Sequence, residues 1–350
     1  MDQQPQSVLD YNGEDIHTIF LVWNFKENTE ISSSFKAVCA LLLNLNNSAY
    51  IRFPKRGVSN IMGIGYEAWK RLDLPKPLPK ELANFEPIIG DPHTAVATRA
   101  DLHFHIKGNT KSICYDMAAE ISSLLTPVAE CVVEVHGFRY WDGRSILGFV
   151  DGTENPNGEK ERAYYGLIGK EDPAYQNGSY LFVQKYIHDL NAFKALPISE
   201  QEKVFGRSRD NDVEMPEDIK PKNAHIALTD VGDDLKIIRD NLPFGNMATN
   251  EMGTYFIAYA STFSTVKKML DNMFIGDPPG NYDRLLDFST AKTGSLFYVP
   301  TLDQLDDFSS DQEKDQDEKA APNTVEEKET QPPDHTGSLK IGALKTYKKE

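Results

Sequence analysis

The chain is divided by one stretch, Gly148-Phe-Val-Asp-Gly-Thr-Glu-Asn-Pro156. Its apolar lead-in carries a single carboxylate, Asp151, to a point where Gly152 allows the backbone to turn sharply. Asn155 and Pro156 then end any continuing strand or helix. An acid at the end of an apolar segment is a candidate proton carrier, because burial and neighbouring charges tune such groups. An ordinary Asp-Gly turn is the alternative interpretation.

Strand and helix patterns alternate on the N-terminal side of this stretch. Segments dense in β-formers predict strands, and apolar residues at helical spacing predict helices. The predicted strands are His17–Phe25 and residues 59–64, 102–106 and 131–135, and the predicted helices are residues 33–45 and 112–125. The order β-α-β-β-α-β is that of the split βαβ, or ferredoxin-like, unit.

The C-terminal side repeats this order less clearly. We predict strands over residues 180–187, 225–228, 255–259 and 295–299, helical material within 190–205, and a helix over 265–274. The pattern predicts an α+β fold of two ferredoxin-like domains with antiparallel sheets, joined near Gly143. The expected domain boundaries are residues 1–143 and 144–308.

The chain changes character after the second predicted domain. Residues 303–329 hold eleven acids and three lysines, which is half of the net charge of −16. Residues 309–335 have little to bury and predict a disordered acidic linker. Residues 336–350 place leucine and isoleucine side chains at the end of this linker, as a docking peptide does. A disordered tail with incidental leucines is the alternative.

Composition excludes several classes of protein. The net charge of −16 argues against nucleic acid as the main partner. No run approaches the roughly 18 apolar residues that a membrane span needs. The N-terminal residues have neither a basic region nor an apolar region, so we expect no signal peptide and no twin-arginine export motif. Cys39, Cys114 and Cys131 have no close-spaced pairs. We expect buried free thiols in a reducing cytoplasm.

Three residues of the second half are candidates for chemistry. His225, in a segment predicted as a strand, is suited to be an axial iron ligand if a carboxylate holds its other ring nitrogen, and Asp287 is a candidate for that carboxylate. A satisfied core or edge histidine is the alternative. Arg239 is flanked by Ile and Leu, so we expect partial burial and a need for an anion or a developing charge. A surface pair with Asp240 is the alternative.

Other candidates carry weaker signals. His103 and His105 share one face of a predicted strand and form a possible metal pair, although no third ligand has suitable spacing, and we favour a structural role. Tyr140, Trp141 and Tyr298 are possible electron relays, for which we favour core packing. Arg207 is a candidate partner for a carboxylate of a ligand. The sequence has no P-loop, no Gly-x-Gly-x-x-Gly after a strand and no Gly-x-Ser-x-Gly motif.

Taken together, these segments resemble the dye-decolorizing peroxidases. The stretch 148–156 resembles the family signature, whose core is Gly-x-x-Asp-Gly, and Gly137-Phe-Arg-Tyr-Trp-Asp-Gly-Arg144 precedes it in the expected order. The resemblance covers about residues 14–301 and is closest to the compact bacterial subgroup without an export signal. It implies two ferredoxin-like domains, with haem b in the C-terminal one.

The resemblance also implies roles for individual residues. His225 would be the proximal iron ligand, Asp151 the distal acid/base, Arg239 the distal arginine and Asn241 a polar neighbour in the distal pocket. The remaining implied cofactor contacts are Arg207 as a propionate partner, Asp287 as the carboxylate behind the proximal ligand, and Gly152, Thr153 and Glu154 of the signature turn. Family members commonly assemble from dimers into hexamers.

The tail carries a separate resemblance. Gly337-Ser-Leu-Lys-Ile-Gly-Ala-Leu-Lys345 is similar to the targeting peptides by which cargo enzymes dock inside encapsulin nanocompartments. It implies an encapsulin shell protein as a partner and a cytoplasmic nanocompartment as the location.

The expected activity is haem-dependent reduction of H2O2 coupled to the oxidation of dyes, phenols or other one-electron donors. A haem-binding or iron-handling protein with incidental peroxidase activity is the alternative, and a haem-free interaction module is a third possibility. The sequence leaves open the physiological donor and the oligomeric state.

Overall fold

The computed structural model describes residues 3–10, 16–54 and 57–310. Most of the predicted acidic linker and the whole docking peptide lie outside these residues. The helices are α1 (Ser32–Arg52), α2 (Tyr66–Arg71), α3 (Lys111–Leu125), α4 (Gly158–Gly166), α5 (Leu190–Ala195), α6 (Ile198–Phe205), α7 (His225–Thr229), α8 (Phe263–Phe274) and α9 (Leu302–Ser309). Short 3-10 turns cover Ser7–Leu9, Pro173–Tyr175 and Arg284–Asp287. No helix within the described ranges has the length and apolar character of a membrane span.

The strands are all antiparallel to their partners and most of them join one sheet. They are β1 (His17–Phe25), β2 (Ser59–Gly65), β3 (Ile88–Ile89), β4 (Thr94–Ala95), β5 (Leu102–Gly108), β6 (Ala129–Phe138), β7 (Ser179–His188), β8 (Ile238–Arg239), β9 (Leu242–Asn246), β10 (Glu251–Ala260), β11 (Ser289–Ala291) and β12 (Ser295–Val299). The main path of the sheet is β6-β1-β5-β2-β12-β7-β10-β8. This arrangement confirms the predicted α+β class.

The N-terminal half forms a ferredoxin-like sheet in the order β6-β1-β5-β2. Numbered by their place in the β-α-β-β-α-β pattern, these strands run 4-1-3-2, as the split βαβ unit requires. The helices α1 and α3 pack against each other. All residues of β2 and β5 are buried, including the polar side chains of His103, His105 and Lys107 on β5.

The C-terminal half repeats the 4-1-3-2 order as β12-β7-β10-β8. The prediction of its second strand was wrong, because residues 225–228 lie in α7 and the strand is Ile238–Arg239. A short apolar run fits one helical turn as well as a strand, so its composition could not separate the two.

The two halves share one hydrogen-bonded ladder. β2 of the N-terminal half pairs with β12 of the C-terminal half through Ile64–Tyr298 and Gly65–Phe297. Gly65 is required there, because a Cβ atom at this position would lie 2.1 Å from the carbonyl oxygen of Ala100. Gly65 therefore combines the pairing with Phe297 across the seam and a close backbone approach to Ala100, which precedes β5 in its own half.

Two expectations about exposure need correction. Cys39 and Cys114 are buried as expected, whereas Cys131 is exposed at the edge strand β6. Tyr298 is fully buried, as core packing requires, but the Trp141 side chain is 78% exposed. Trp141 has a positive φ of 50°, in the left-handed region that non-glycine residues seldom adopt.

Candidate active site

A cavity of about 260 Å³ opens in the C-terminal half. Its lining contains nearly every residue that the sequence nominated for the site, with Asp287 as the exception. The nominated residues that line it are Asp151, Gly152, Thr153, Glu154, Arg207, His225, Arg239 and Asn241. Loops, α7 and the segment 239–241 between β8 and β9 thus bring together residues that are up to 90 positions apart in the chain.

The Asp151 turn has the conformation that its sequence predicts. The amide of Asp151 donates to the carbonyl oxygen of Gly143 at 3.1 Å, and Gly152 has a φ of +83°. Nδ2 of Asn241 donates to Oδ2 of Asp151 at 3.3 Å, while Oδ1 of Asn241 accepts from the amide of Ile257 at 3.1 Å. Asn241 is therefore fixed to β10 and holds one oxygen of the acid.

Arg239 is partly buried, as expected, and it lines the cavity. Its guanidinium forms no hydrogen bond or ion pair with any of the described residues. The alternative of a pair with Asp240 is wrong: the carboxylate of Asp240 lies 2.9 Å from Nζ of Lys107. Arg239 and Asn241 line this cavity, whereas the buried side chain of Asp240 is directed towards Lys107.

His225 begins α7 and has one ring nitrogen occupied. Its Nδ1 lies 2.6 Å from Oδ2 of Asp283. Asp283 is fully buried, and its Oδ1 accepts from the amide of Leu285 at 2.9 Å. An ionised carboxylate can only accept, so Nδ1 carries the hydrogen. Nε2 is the ring nitrogen that remains available, and the ring lines the cavity. A histidine held in this way is suited to bind a metal.

The predicted partner of His225, Asp287, was wrong. Its Oδ1 lies 3.1 Å from Nε2 of His93 and accepts from the hydroxyl of Tyr282 at 3.1 Å, on the protein surface. Asp283 precedes Arg284-Leu-Leu and caps the 3-10 turn through its side chain. No local sequence signal separates Asp283 from Asp287, because the two residues border the same short turn.

Arg207 lies at the rim of the same cavity. Its guanidinium donates to the hydroxyl of Thr153 at 2.8 Å, and its Nε lies 2.8 Å from Oδ1 of Asp212. Thr153 and Glu154 are exposed. Arg207 therefore joins the signature turn to the loop after α6 and keeps a cation at the entrance.

Sequence reasoning missed a polar group on the cavity wall. Nδ1 of His188 lies 2.8 Å from the hydroxyl of Ser289, and Nε2 lies 2.9 Å from the hydroxyl of Thr254. Burial lowers the pKa of His188 to about 4, so the ring is neutral at ordinary pH. Tyr186, two positions earlier on β7, also lines the cavity. The period of two along β7 was the signal that places both side chains on one face.

A second cavity of about 210 Å³ adjoins the first. Both cavities are lined by Asp151, Gly152, Arg239 and Asn241. The remaining lining of the second cavity includes Arg139, Arg144 and Arg162. Asp151 and Arg239 are thus reached from two sides, one of them rich in cations.

His103 and His105 have a structural role, as favoured above. Both are buried; Nε2 of His103 lies 3.2 Å from the hydroxyl of Tyr255 and Nδ1 of His105 lies 2.8 Å from that of Tyr259. In the part of the chain that the structure describes, no three His, Cys, Asp or Glu side chains are grouped to hold a metal ion.

Family models match both halves of the chain. The model described as "Dyp-type peroxidase, N-terminal" matches residues 15–139, and the model described as "Dyp-type peroxidase, C-terminal" matches residues 142–304. A dye-decolorizing peroxidase of Rhodococcus erythropolis is 44% identical over 332 residues, which are 93% of each chain.

Solved structures agree with this match. A dye-decolorizing peroxidase from Bacteroides thetaiotaomicron is 49% identical with a TM-score of 0.85, and the match covers 88% of this chain and 99% of the other. The encapsulated DyP-type peroxidase from Mycobacterium smegmatis is 44% identical with a TM-score of 0.82, covering 87% and 98%. A DypB variant from Rhodococcus jostii RHA1 in complex with heme is 41% identical with a TM-score of 0.80, covering 86% and 97%.

Proposed function

The chain belongs to the Dyp-type peroxidase family, and from that membership we propose that its cavity holds haem b and that Asp151, Arg239 and His225 serve the reduction of hydrogen peroxide. The donor set supports this proposal. A histidine with an available Nε2, backed by a buried carboxylate, would be a suitable ligand for haem iron. Arg207 at the rim supplies a cation for a propionate. The Rhodococcus jostii relative, which was solved with heme, adds support.

When bound, the haem supplies the redox chemistry, which is the transfer of oxidising equivalents from H2O2 to a one-electron donor. The protein supplies binding and proton transfer. His225 would hold the iron on one face, and Asp283 would orient the imidazole and increase its basicity. Gly152, Thr153 and Glu154 would border the cofactor on the side of the signature turn.

Asp151 would act as the acid/base. It would accept a proton from one oxygen of H2O2 and return it to the other oxygen, which leaves as water. Asn241 would hold one carboxylate oxygen, so that the other faces the substrate. The guanidinium of Arg239, which has no partner among the residues that the structure describes, would stabilise the negative charge that develops as the O–O bond breaks. The second cavity would admit a small polar molecule to these residues.

The single observation that carries the proposal is the convergence of Asp151, Arg239 and His225 on one cavity. His225→Ala should abolish stable haem binding, read from the Soret band. Asp151→Ala should bind haem but reduce kcat/KM for H2O2 by about 10²–10⁴-fold, and Arg239→Ala by about 10²–10³-fold. Asp218→Ala, in an exposed loop, serves as the control. A normal Soret band in the His225 variant would remove it as the ligand.

We further propose that residues 336–350 direct the enzyme into an encapsulin shell. The motif Gly337-Ser-Leu-Lys-Ile-Gly-Ala-Leu-Lys345 supports this, as does the likeness to an encapsulated relative. Deletion of residues 336–350 should leave peroxidase activity unchanged and prevent co-purification with a co-expressed shell protein. Unchanged packaging after the deletion would contradict the proposal.

A further inference from the structure

The side chain of Asn155 pairs with the backbone of Arg239 through both of its polar groups. Nδ2 donates to the carbonyl oxygen of Arg239 at 2.8 Å, and Oδ1 accepts from the amide of Arg239 at 2.8 Å. A carboxamide that satisfies the N–H and C=O groups of one residue reproduces the exchange made by a facing residue of an antiparallel strand. Asn155 thus takes the place of a neighbouring strand for one residue.

This pairing completes an edge of the sheet. β8 is the last strand on the main path, and β10 pairs with it on one side only, at Ile238 and Arg239. The other side of Arg239 would leave an amide and a carbonyl oxygen without a partner in a partly buried position. Nearly all buried backbone N–H and C=O groups in folded proteins have a hydrogen-bond partner. In this chain Asn155 satisfies them.

The other end of Asn155 belongs to the Asp151 turn. Its amide donates to the carbonyl oxygen of Gly152 at 3.1 Å, and a Cβ atom on Gly152 would lie 3.3 Å from Nδ2 of Asn155. The carboxamide therefore packs directly beneath the turn that carries the acid. Asn155 lies four positions after Asp151. Its side chain joins the turn that carries Asp151 to the backbone of Arg239.

We propose that Asn155 is a positioning residue that sets where the guanidinium of Arg239 lies relative to the carboxylate of Asp151. The inference rests on the proposed roles of those two residues. Because the guanidinium has no partner among the described residues, its position depends on the backbone from which it extends. Side chains at reacting atoms must be held to within about 0.5 Å, so a loosened backbone at residue 239 misplaces the charge.

The test compares Asn155→Asp and Asn155→Leu with Asn157→Asp. Asn155→Asp keeps the shape but places a carboxylate oxygen against the carbonyl oxygen of Arg239, and Asn155→Leu removes both hydrogen bonds. Asn157 is exposed, so the same change two residues later is a matched control. In the haem-loaded protein, amide hydrogen exchange at Arg239 should be about tenfold faster in both Asn155 variants, while the control matches the wild type.

Kinetics give the second measurement. Both Asn155 variants should lose about 10- to 100-fold in kcat/KM for H2O2, with unchanged haem affinity. A protonated aspartic acid regains one donor and one acceptor, so the deficit of Asn155→Asp should shrink as the pH falls from 7 towards 4. In an Arg239→Ala background, Asn155→Leu should change kcat/KM by less than about twofold, because the positioned group is absent.

The outcomes separate two failures. If Asp151→Ala and Arg239→Ala react with peroxide as fast as the wild type, the proposed function fails. If those variants are impaired while both Asn155 variants match Asn157→Asp in exchange and in kcat/KM, the positioning role alone is overturned. Should Asn155→Leu fail to fold, the exchange rate and pH profile of Asn155→Asp decide the question.

Discussion

Nδ1 of His225 lies 2.6 Å from Oδ2 of Asp283, a carboxylate that is completely buried. Asp287, four positions later and on the surface, contacts His93 and Tyr282 instead. The two aspartates lie at the two ends of one short turn, so substituting each of them in turn isolates the contribution of the contact to His225.

We therefore expect Asp283→Asn to weaken haem affinity or peroxidase activity by about 10- to 100-fold, because the imidazole loses its charged acceptor. Asp287→Asn should change either quantity by less than about twofold, as surface substitutions usually do. Haem titration followed at the Soret band, together with kcat/KM for H2O2, measures both. Equal losses in the two variants would show that Asp283 has no special role.

A second prediction concerns the interior side of the segment 239–241. Lys107 of the N-terminal half and Asp240 of the C-terminal half form a buried pair at 2.9 Å. Lys107→Met removes a cation that contacts a buried carboxylate and should lower the free energy of unfolding by about 3–5 kcal/mol. Lys76→Met removes the exposed partner of Asp73 and should cost less than about 1 kcal/mol. Urea unfolding compares the two, and a similar small loss in both would contradict the expectation.

Acid should weaken the fold through the buried histidines. Burial holds the pKa of His103 and of His105 well below the ordinary value of 6.5, and the positive charge of Lys107 adds to the effect at His105. Below pH 6.5 the unfolded chain binds protons that the folded chain does not, so stability falls as the pH falls. Each ring contributes about 1.4 kcal/mol per pH unit.

Urea unfolding at pH 5 and pH 7 measures this dependence. Two groups face the ring of His105: Oδ2 of Asp240 lies 3.9 Å from Nε2, and the Tyr259 hydroxyl lies 2.8 Å from Nδ1. His105→Gln should reduce the difference between the two pH values by about the contribution of one ring. An unchanged difference would show that the pKa of His105 is the same in the folded and unfolded states.

The seam between the halves yields a fourth prediction. Gly65→Ala should destabilise the protein strongly, by about 3 kcal/mol or more, because its Cβ would lie 2.1 Å from a backbone oxygen that cannot move aside. Gly245→Ala meets its nearest atom, in the Met252 side chain, at 3.6 Å and serves as the control. Thermal unfolding measures both, and equal melting temperatures would contradict the close approach at Gly65.

Periodic segments of the chain were predictable and isolated contacts were not. The six elements of the N-terminal half follow from apolar spacing and β-former density, and the structure confirms their order. β8 has two residues, which is too few for any period, so the second strand of the C-terminal half was assigned to the apolar run at His225 instead.

The same limit applies within the site. Asp151, Arg239 and His225 could be nominated because each stands in an unusual local context, and all three line one cavity. The choice between Asp283 and Asp287 depends on which way a short turn faces, and the sequence around Leu285 and Leu286 does not determine that direction. The sequence predicted only that Asn155 ends a strand or helix, because the residue that its side chain pairs with is 84 positions away.

The pairing of β2 with β12 also determines how the protein unfolds. With one ladder running through both halves, neither can open along the seam without exposing strand edges of the other. We expect a single cooperative calorimetric transition over the described core. Occupation of the cavity in the C-terminal half should then slow proteolysis in the N-terminal half, although nothing is bound there.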